Sequence, residues 1–269
     1  MTDNLVRLDF QPPAAVITLN RPDKRNALSR ALIAGLREAF EKARDEKSIR
    51  CVILTGAGPA FCAGMDLAEL QATLDVKEGQ DPREAVWDDT LHLGTLYDLI
   101  YTLPKPTIAA INGPALAGGA GLVTVCDLAL AVPEARLGYP EVRRGLVAAL
   151  VMPHLLRHAG ERAARYLLLT GEVMDAEEAQ RSGLINRVVP SAQLLEQAHR
   201  WAKSLAEGGP GALAGTKELL KTFSRQALSV EEAARASAAP RFTEECQAGL
   251  RAFFAKKPAP WAPPGTNTP

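Results

Sequence analysis

Two segments of the chain share one layout, in which a short apolar run leads into a glycine-containing turn and then into an apolar helical pattern. The first run is 51–55, with its turn at 63–66, and the second run is 107–111, with its turn at 117–119. Short apolar runs bounded by turn residues predict buried strands, and alternation of strands with helices predicts an α/β fold. This repeat therefore constrains the fold class more than any other feature.

The flanking sequence agrees with that class. Residues 5–10 and 15–20 alternate like the arms of a hairpin, and Ser29 is a suitable N-cap for a helix to about Lys47. The polar stretch 75–90, with its glycine and proline, predicts a mobile loop. Beyond Glu161 the pattern is almost entirely helical.

The two glycine turns also have a chemical meaning. A helix start leaves backbone N–H groups unpaired and carries a partial positive charge, and glycine lets a ligand oxygen approach the backbone. Two such starts facing one point would stabilise an oxyanion. For either turn alone, a tight bend or close packing is the better explanation of the glycines. Neither turn matches a phosphate-binding loop.

Composition excludes several classes of function. The chain has 269 residues with 31 basic and 31 acidic side chains, so charge gives no reason to expect nucleic acid or an anionic membrane as partner. No apolar run reaches membrane-spanning length, and the N-terminus lacks the regions of a signal peptide. We therefore expect a soluble, cytoplasmic protein.

Cysteine and histidine give no pattern typical of a metal site. The four cysteines are scattered without a CxxC pair, and Cys51 and Cys126 lie in apolar runs that predict core thiols. The histidines also lack metal-ligand spacing, so core or surface roles are expected for His92, His154, His158 and His199.

Four segments of the chain resemble motifs of the crotonase (enoyl-CoA hydratase/isomerase) superfamily, and along the chain they keep the order of the family's motifs. Residues 61–67, FCAGMDL, resemble F-x-A-G-x-D-[LI], and 105–119 resemble K-P-x-I-A-A-[IV]-x-G followed by glycines. Residues 20–28 resemble N-R-P…N-A-[LM], and 176–189 resemble A-x-x-A-x-x-x-G-L-[IV]-x-x-V-V. The resemblance covers about residues 5–257.

The resemblance implies an α/β fold built as a crotonase-type spiral of ββα units, with a C-terminal helical region that packs in trimers, often paired as hexamers. It places the spiral core and acyl-CoA site in residues 1–200 and the helical region in 201–258. We expect residues 259–269 to form a disordered tail.

The resemblance also implies an acyl-CoA substrate, with CoA as part of the substrate and no separate cofactor or metal. The thioester oxygen would accept hydrogen bonds from the N–H groups of Met65 and Gly118. Lys24 and Arg25 fall where the family contacts CoA phosphates, although solvated surface side chains explain them equally. Further substrate- or CoA-binding positions are Ala27, Ala63, Asp66 and Leu67. Lys256 or Lys257 would reach the CoA of a neighbouring subunit.

A proton carrier completes the expected site, because chemistry beside a thioester moves a proton. Residues 139–145 match the family's P-E-[IV]-x-x-G, whose glutamate is the acid/base, so Glu141 is the predicted catalytic residue. Outside the family frame, an acid at a helix start has an ordinary explanation. The family's two-carboxylate hydratases carry a second glutamate where this chain has Gly121.

Residues 145–154 resemble the bacterial methylglutaconyl-CoA hydratase-like branch of the superfamily. In that case Arg143 or Arg144 would pair with a second carboxylate of the substrate, although a solvated helix face explains both equally. His154 is the histidine whose position, following Glu141, leaves its role most open.

The resulting expectation is an enoyl-CoA hydratase-type lyase, acting in fatty acid metabolism or branched-chain amino acid degradation, with a branched or carboxylated acyl chain as an option. The alternative is a Δ3–Δ2 enoyl-CoA isomerase that uses Glu141 alone. A third class is a non-catalytic acyl-CoA-binding or RNA-binding relative, which the zero net charge and the presence of Glu141 disfavour.

Overall fold

The computed structural model describes residues 5–74, 81–223 and 229–258 together with Pro260. The strands are β1 (Val6–Gln11), β2 (Ala14–Leu19), β3 (Cys51–Gly56), β4 (Thr107–Ile111), β5 (Ala115–Leu116), β6 (Leu128–Ala131), β7 (Arg136–Gly138), β8 (Val173–Asp175) and β9 (Arg187–Val188). The helices are α1 (Arg30–Asp45), α2 (Leu67–Leu74), α3 (Arg83–Thr102), α4 (Gly118–Val125), α5 (Met152–Thr170), α6 (Ala176–Arg181), α7 (Leu194–Glu207), α8 (Pro210–Phe223), α9 (Val230–Ala238) and α10 (Glu244–Phe254).

A six-stranded sheet forms the centre of the molecule in the order β1-β2-β3-β4-β6-β9. The predicted hairpin is confirmed, because β1 and β2 pair antiparallel from Val6 opposite Leu19 to Gln11 opposite Ala14. All other pairs in this sheet are parallel. Strand β4 is fully buried and β3 is buried up to Gly56, which explains why these two segments read as continuous apolar runs. Strand β2 is buried along its whole length, although its sequence predicts an alternating hairpin arm.

A second, three-stranded sheet in the order β5-β7-β8 lies along the path from the large sheet to the helices. The chain passes from β4 to β5 and then to α4, and from β6 to β7 before α5. Between β3 and α2, Cys62 pairs with Ala115 of β5 in an isolated parallel bridge, so this segment takes the place of a short strand beside β5. Each unit is therefore strand, short strand, helix, which agrees with the expected α/β class and ββα units.

The predicted first helix is confirmed, and its start has a clear local cause. The Ser29 hydroxyl accepts a hydrogen bond from the Leu32 N–H, which satisfies one donor of the first turn of α1. The buried side chains of this helix face the large sheet, and they are Leu32, Ile33, Leu36, Ala39, Phe40 and Ala43.

Two sequence-based expectations about loops require correction. The predicted mobile loop 75–90 is wrong over its last part, because α3 begins at Arg83 and buries Val86 and Thr90; residues 75–80 lie outside the described part of the chain. The region after Glu161 also contains the strand β8, which pairs with β7 and is only three residues long. Apart from Pro260, the predicted disordered tail lies outside the described residues.

The C-terminal helices pack onto the core. Helix α9 lies against α3, and α10 lies against the 3₁₀ turn at Pro140–Arg144. Within the described ranges, no helix is both long enough and apolar enough to cross a bilayer.

Candidate active site

The short strands of the second sheet bring three distant turns to one edge. Cys62 pairs with Ala115 and Leu116 pairs with Gly138, and both pairings are parallel. Parallel strands end at the same edge of a sheet, so the chain leaves each of them at a common point. Crevices at the carboxyl ends of parallel strands are the usual place for ligands in α/β proteins.

The three predicted key residues follow these strands at similar intervals along the chain. Met65 comes three residues after Cys62, Gly118 three residues after its partner Ala115, and Glu141 four residues after Leu137, which pairs with Ala115 in turn. All three residues line one cavity of about 660 Å³. The structure therefore brings together the positions predicted for the oxyanion hole and the acid/base.

The first turn directs the Met65 N–H away from its own neighbours. Leu28 N–H donates to the Gly64 carbonyl at 2.8 Å, and Asp66 N–H donates to the Leu28 carbonyl at 3.0 Å. In this parallel bridge, the groups of Gly64 and Asp66 face Leu28, so the N–H of Met65 points to the opposite side. That side is lined by the second turn.

The second turn lies directly against the first. A Cβ on Gly64 would stand 2.8 Å from the Ala117 Cβ and 3.3 Å from the Gly118 nitrogen, so only glycine permits this approach. Ala117 has φ 50° and ψ −124°, a sparsely populated conformation of the kind that clusters at functional sites. Gly118 then begins α4. Within the described residues, neither the Met65 nor the Gly118 N–H has a recorded acceptor.

Glu141 is held in the 3₁₀ turn at Pro140–Arg144, and its Oε2 atom is shut off from solvent without a hydrogen-bond partner among the described residues. Burial raises the pKa of the Glu141 carboxyl from 4.5 to about 7, opposed by its own backbone N–H and by the charge of Arg144. A carboxyl group with a pKa near neutrality can both accept and return a proton, which suits an acid/base.

Tyr97 of α3 explains the departure at Gly121. Its hydroxyl donates a 2.6 Å hydrogen bond to the Gly118 carbonyl and lies where a side chain at Gly121 would begin. A Cβ at Gly121 would stand 2.4 Å from the Tyr97 hydroxyl and 2.6 Å from Val151 Cγ1. Tyr97 also lines the cavity beside Glu141. Any side chain at position 121, including a glutamate, would therefore meet the Tyr97 phenol at its first atom.

The remaining predicted binding residues all line the same cavity, and they are Lys24, Arg25, Ala27, Ala63, Asp66 and Leu67. Lys24 and Arg25 are exposed, so their charges are available at the solvent side of the cavity. Lys256 and Lys257 are exposed and do not line it, and their proposed contact with a neighbouring subunit stays a prediction.

Asp66 also has a structural task that the sequence did not indicate. Its Oδ2 forms an ion pair of 2.6 Å with Arg21 Nη1, and its Oδ1 accepts from the Ala68 N–H at 3.0 Å, as an N-cap of α2 does. Arg21 Nη1 also donates to the Ala27 carbonyl at 3.2 Å. Asp66 thus fixes the segment that carries Lys24 against the first glycine turn.

The structure separates the two arginines after Glu141. Arg144 lines the cavity, with its guanidinium 4.4 Å from the centre of the Phe253 ring. Arg143 is exposed, donates to the Thr170 carbonyl at 3.3 Å, and does not line the cavity. The cavity expectation therefore applies to Arg144 alone.

His154 does not line this cavity either. It is buried in α5, accepts from Arg157 Nη1 at Nδ1 over 3.2 Å, and packs edge-on against Tyr101. Burial lowers its pKa to about 3, so it is a neutral core side chain. All four cysteines are buried, in agreement with the expectation for Cys51 and Cys126. Within the described ranges, no cluster of three or more potential metal ligands is found.

Sequence reasoning missed the contribution of the C-terminal helices to the cavity. Ser237, Arg241 and Phe253 line it, although they lie in the region 201–258 that was expected to serve in assembly. No sequence signal distinguishes Arg241 from the other arginines of the chain.

Comparisons with known proteins agree with this geometry. The model of the family "Enoyl-CoA hydratase/isomerase" matches residues 9–264. A Thermus thermophilus protein named "Putative enoyl-CoA hydratase" is 44% identical over 246 residues, which are 91% of this chain and 95% of that protein.

Two further relatives are similar over nearly their whole length. The 2,3-dehydroadipyl-CoA hydratase of Escherichia coli is 34% identical over 258 residues, covering 92% of this chain and 94% of that protein. The crystal structure of an enoyl-CoA hydratase from Mycobacterium avium has a TM-score of 0.83 at 31% identity, covering 97% of this chain and 100% of that chain. With the fold, the paired turns and these matches in agreement, the chain belongs to the enoyl-CoA hydratase/isomerase family of the crotonase superfamily.

Proposed function

We propose that this protein is an enoyl-CoA hydratase that adds water across the C2–C3 double bond of an acyl-CoA thioester with Glu141 as its one acid/base. The observation that carries the proposal is the position of Glu141, which lines the same cavity as Met65 and Gly118 and whose Oε2 has no hydrogen-bond partner among the described residues. The hydratase names of several relatives support the direction of the chemistry.

In this mechanism the Glu141 carboxylate takes a proton from water, and the water oxygen bonds to C3. The electron pair of the double bond moves toward the thioester, and the negative charge collects on its oxygen. The N–H groups of Met65 and Gly118 would stabilise that charge, each by about 3 kcal/mol in the range measured for one oxyanion-hole donor. Glu141 then returns the proton to C2, so that H and OH have been added.

A second candidate is a Δ3–Δ2 enoyl-CoA isomerase, and the observation that favours it is that Gly121, packed against the Tyr97 hydroxyl, supplies no second carboxylate. Here Glu141 would remove a proton from C2 of a 3-enoyl-CoA and return it to C4. The same two N–H groups would hold the enolate. The two reactions differ in whether a water oxygen bonds to C3 and in which carbon receives the proton from Glu141.

The deciding experiment incubates the protein in D₂O with a panel of 2-enoyl- and 3-enoyl-CoA thioesters, including crotonyl-CoA and methylglutaconyl-CoA. Hydration predicts loss of the enoyl-thioester absorbance and one deuterium at C2 of a 3-hydroxyacyl product. Isomerisation predicts gain of that absorbance from 3-enoyl-CoA without an oxygen at C3, and C4 gains deuterium only to the extent that the proton on Glu141 exchanges with D₂O. Absence of both changes with every thioester would refute the enzymatic proposal. The panel also tests the branched or carboxylated chain expected from the sequence.

We also propose that the protein assembles as a homotrimer or homohexamer. Large apolar side chains are exposed on the single chain, with Leu169 at 68%, Leu219 at 58% and Leu220 at 65% exposure. Exposed apolar side chains on neighbouring helical turns mark interaction surfaces when they are contiguous. Light scattering coupled to size-exclusion chromatography measures the mass, and a monomer would contradict the proposal.

A further inference from the structure

Arg241 is an unpaired cation inside the candidate active site. It follows α9 in a 3₁₀ turn (Ala239–Phe242), is only 6% exposed, and lines the cavity that Glu141 also lines. Its Nε has no hydrogen-bond partner, and no ion pair involves Arg241 among the described residues. A guanidinium withdrawn from water without an anion is costly, so this position calls for a partner.

The acidic side chain that attracts Arg241 most clearly is already engaged. Asp89 attracts Arg241, but its two oxygens accept from Arg30 at 2.6 and 2.7 Å and from the Thr73 hydroxyl at 3.0 Å. Arg30 thus holds Asp89 as a two-pronged partner. Among the described residues, the positive charge of Arg241 is left without a direct counter-ion, and its burial lowers the pKa of the guanidinium.

Arg144 adds a second cation to the same cavity. Its Nε is also buried without a hydrogen-bond partner, while Nη1 makes only a long, 3.4 Å contact with the Pro140 carbonyl. The charge of Arg144 is attracted by the Glu141 carboxyl, whereas no acidic group of the 3₁₀ turn at Pro140–Arg144 attracts Arg241. Apolar side chains, including Leu70 and Leu146, line the same cavity.

We infer that the acyl pocket takes an acyl-CoA whose chain ends in a carboxylate, and that Arg241 is the specificity-determining residue that binds this carboxylate. The inference rests on the proposed function, because it needs the thioester at the Met65 and Gly118 N–H groups. A guanidinium offers a planar pair of donors that matches a carboxylate. A neutral chain would leave the Arg241 charge buried and unpaired.

The first test measures binding without catalysis. Wild-type protein is titrated with saturated thioesters in pairs of equal carbon number, namely adipyl-CoA against hexanoyl-CoA and glutaryl-CoA against pentanoyl-CoA. At least one dicarboxylic thioester should bind roughly ten to a hundred times more tightly than its neutral counterpart, the range of a hydrogen bond between charged groups. Equal or weaker binding of both would overturn the inference, even if hydration of neutral enoyl-CoAs were observed.

The second test assigns the preference to Arg241. Arg241→Met keeps the length of the side chain and removes its charge, and Arg251→Met in α10 is the matched control at an exposed arginine outside the cavity. Arg241→Met should raise KM for the 2-enoyl form of the preferred dicarboxylic thioester roughly ten- to a hundred-fold. Its kcat/KM for the neutral 2-enoyl-CoA of the same length should not fall and should rise if anything, because the variant removes the charge that a neutral chain leaves unpaired. Arg251→Met should behave as wild type.

Arg241→Lys separates charge from fold. It should restore part of the dicarboxylic preference, because the charge returns without the two-pronged geometry. Equal losses on neutral and carboxylated substrates in both Arg241 variants would assign a structural role and overturn the inference. Failure of all proteins, including wild type, to hydrate any enoyl-CoA would instead refute the proposed function, while the binding titration would still decide the inference.

Discussion

Replacing Glu141 by glutamine changes the charge of the site while keeping the size of the side chain. The folded-state pKa of this carboxyl is raised from 4.5 to about 7, so between these values the folded protein binds more protons than the unfolded chain. Stability that the protonated carboxyl provides at low pH is therefore lost as pH rises from about 4.5 through about 7. The difference between the two pKa values corresponds to about 3 kcal/mol in the free energy of unfolding.

Glu141→Gln should therefore be more stable than wild type by up to about 3 kcal/mol at pH 8, with the advantage vanishing near pH 4. Urea unfolding at fixed protomer concentration across this range measures the difference. The exposed Glu207→Gln in α7 is the control and should change stability by less than about 0.5 kcal/mol at every pH.

The same variant tests the chemistry. Loss of the acid/base should lower kcat by about 10²–10⁴-fold while binding of a saturated acyl-CoA stays intact. Wild-type kcat/KM should rise with pH through about 7, because the carboxylate is the form that takes the proton. If the stability difference between Glu141→Gln and wild type does not change with pH, the Glu141 carboxyl is not desolvated as described. If turnover is unchanged in the variant, Glu141 has no part in the mechanism.

Three further predictions follow from the packing around this carboxyl. Tyr97→Phe removes the donor to the Gly118 carbonyl, so the free energy of unfolding should fall by about 1–3 kcal/mol and kcat should also fall. Urea unfolding and steady-state kinetics measure the two changes. Gly121→Ala should lower the free energy of unfolding by about 1–3 kcal/mol because its Cβ meets the Tyr97 hydroxyl, and adding Tyr97→Phe should recover part of that loss. If the losses of the two single variants simply add in the double variant, the predicted clash is contradicted. The pKa of the buried His154 is lowered to about 3, so its contribution to the free energy of unfolding is complete above pH 6.5 and is lost as pH falls below that value. His154→Gln should therefore lose about 2 kcal/mol less stability than wild type between pH 7 and pH 5. The same pH profile in both proteins would contradict a neutral, buried imidazole.

Much of the local architecture could be predicted from the sequence, because its causes lie within a few residues of each other. The apolar runs 51–55 and 107–111 become β3 and β4, and Ser29 caps α1. Local patterns failed where the signal was short or mixed. Strand β8 has three residues, and the polar start of α3 carries few apolar side chains to mark its buried face.

The sequence by itself determined the α/β class, the two glycine turns and the motif that holds Glu141, since each depends on residue types at fixed spacing. Tertiary structure alone decided what surrounds them. It placed the Tyr97 hydroxyl where the second acid of the two-carboxylate relatives would begin, and it buried Arg241 without a partner in the same cavity. The physical reason is that burial, pKa and unpaired charge depend on neighbours that are distant in the chain, and no spacing rule records them.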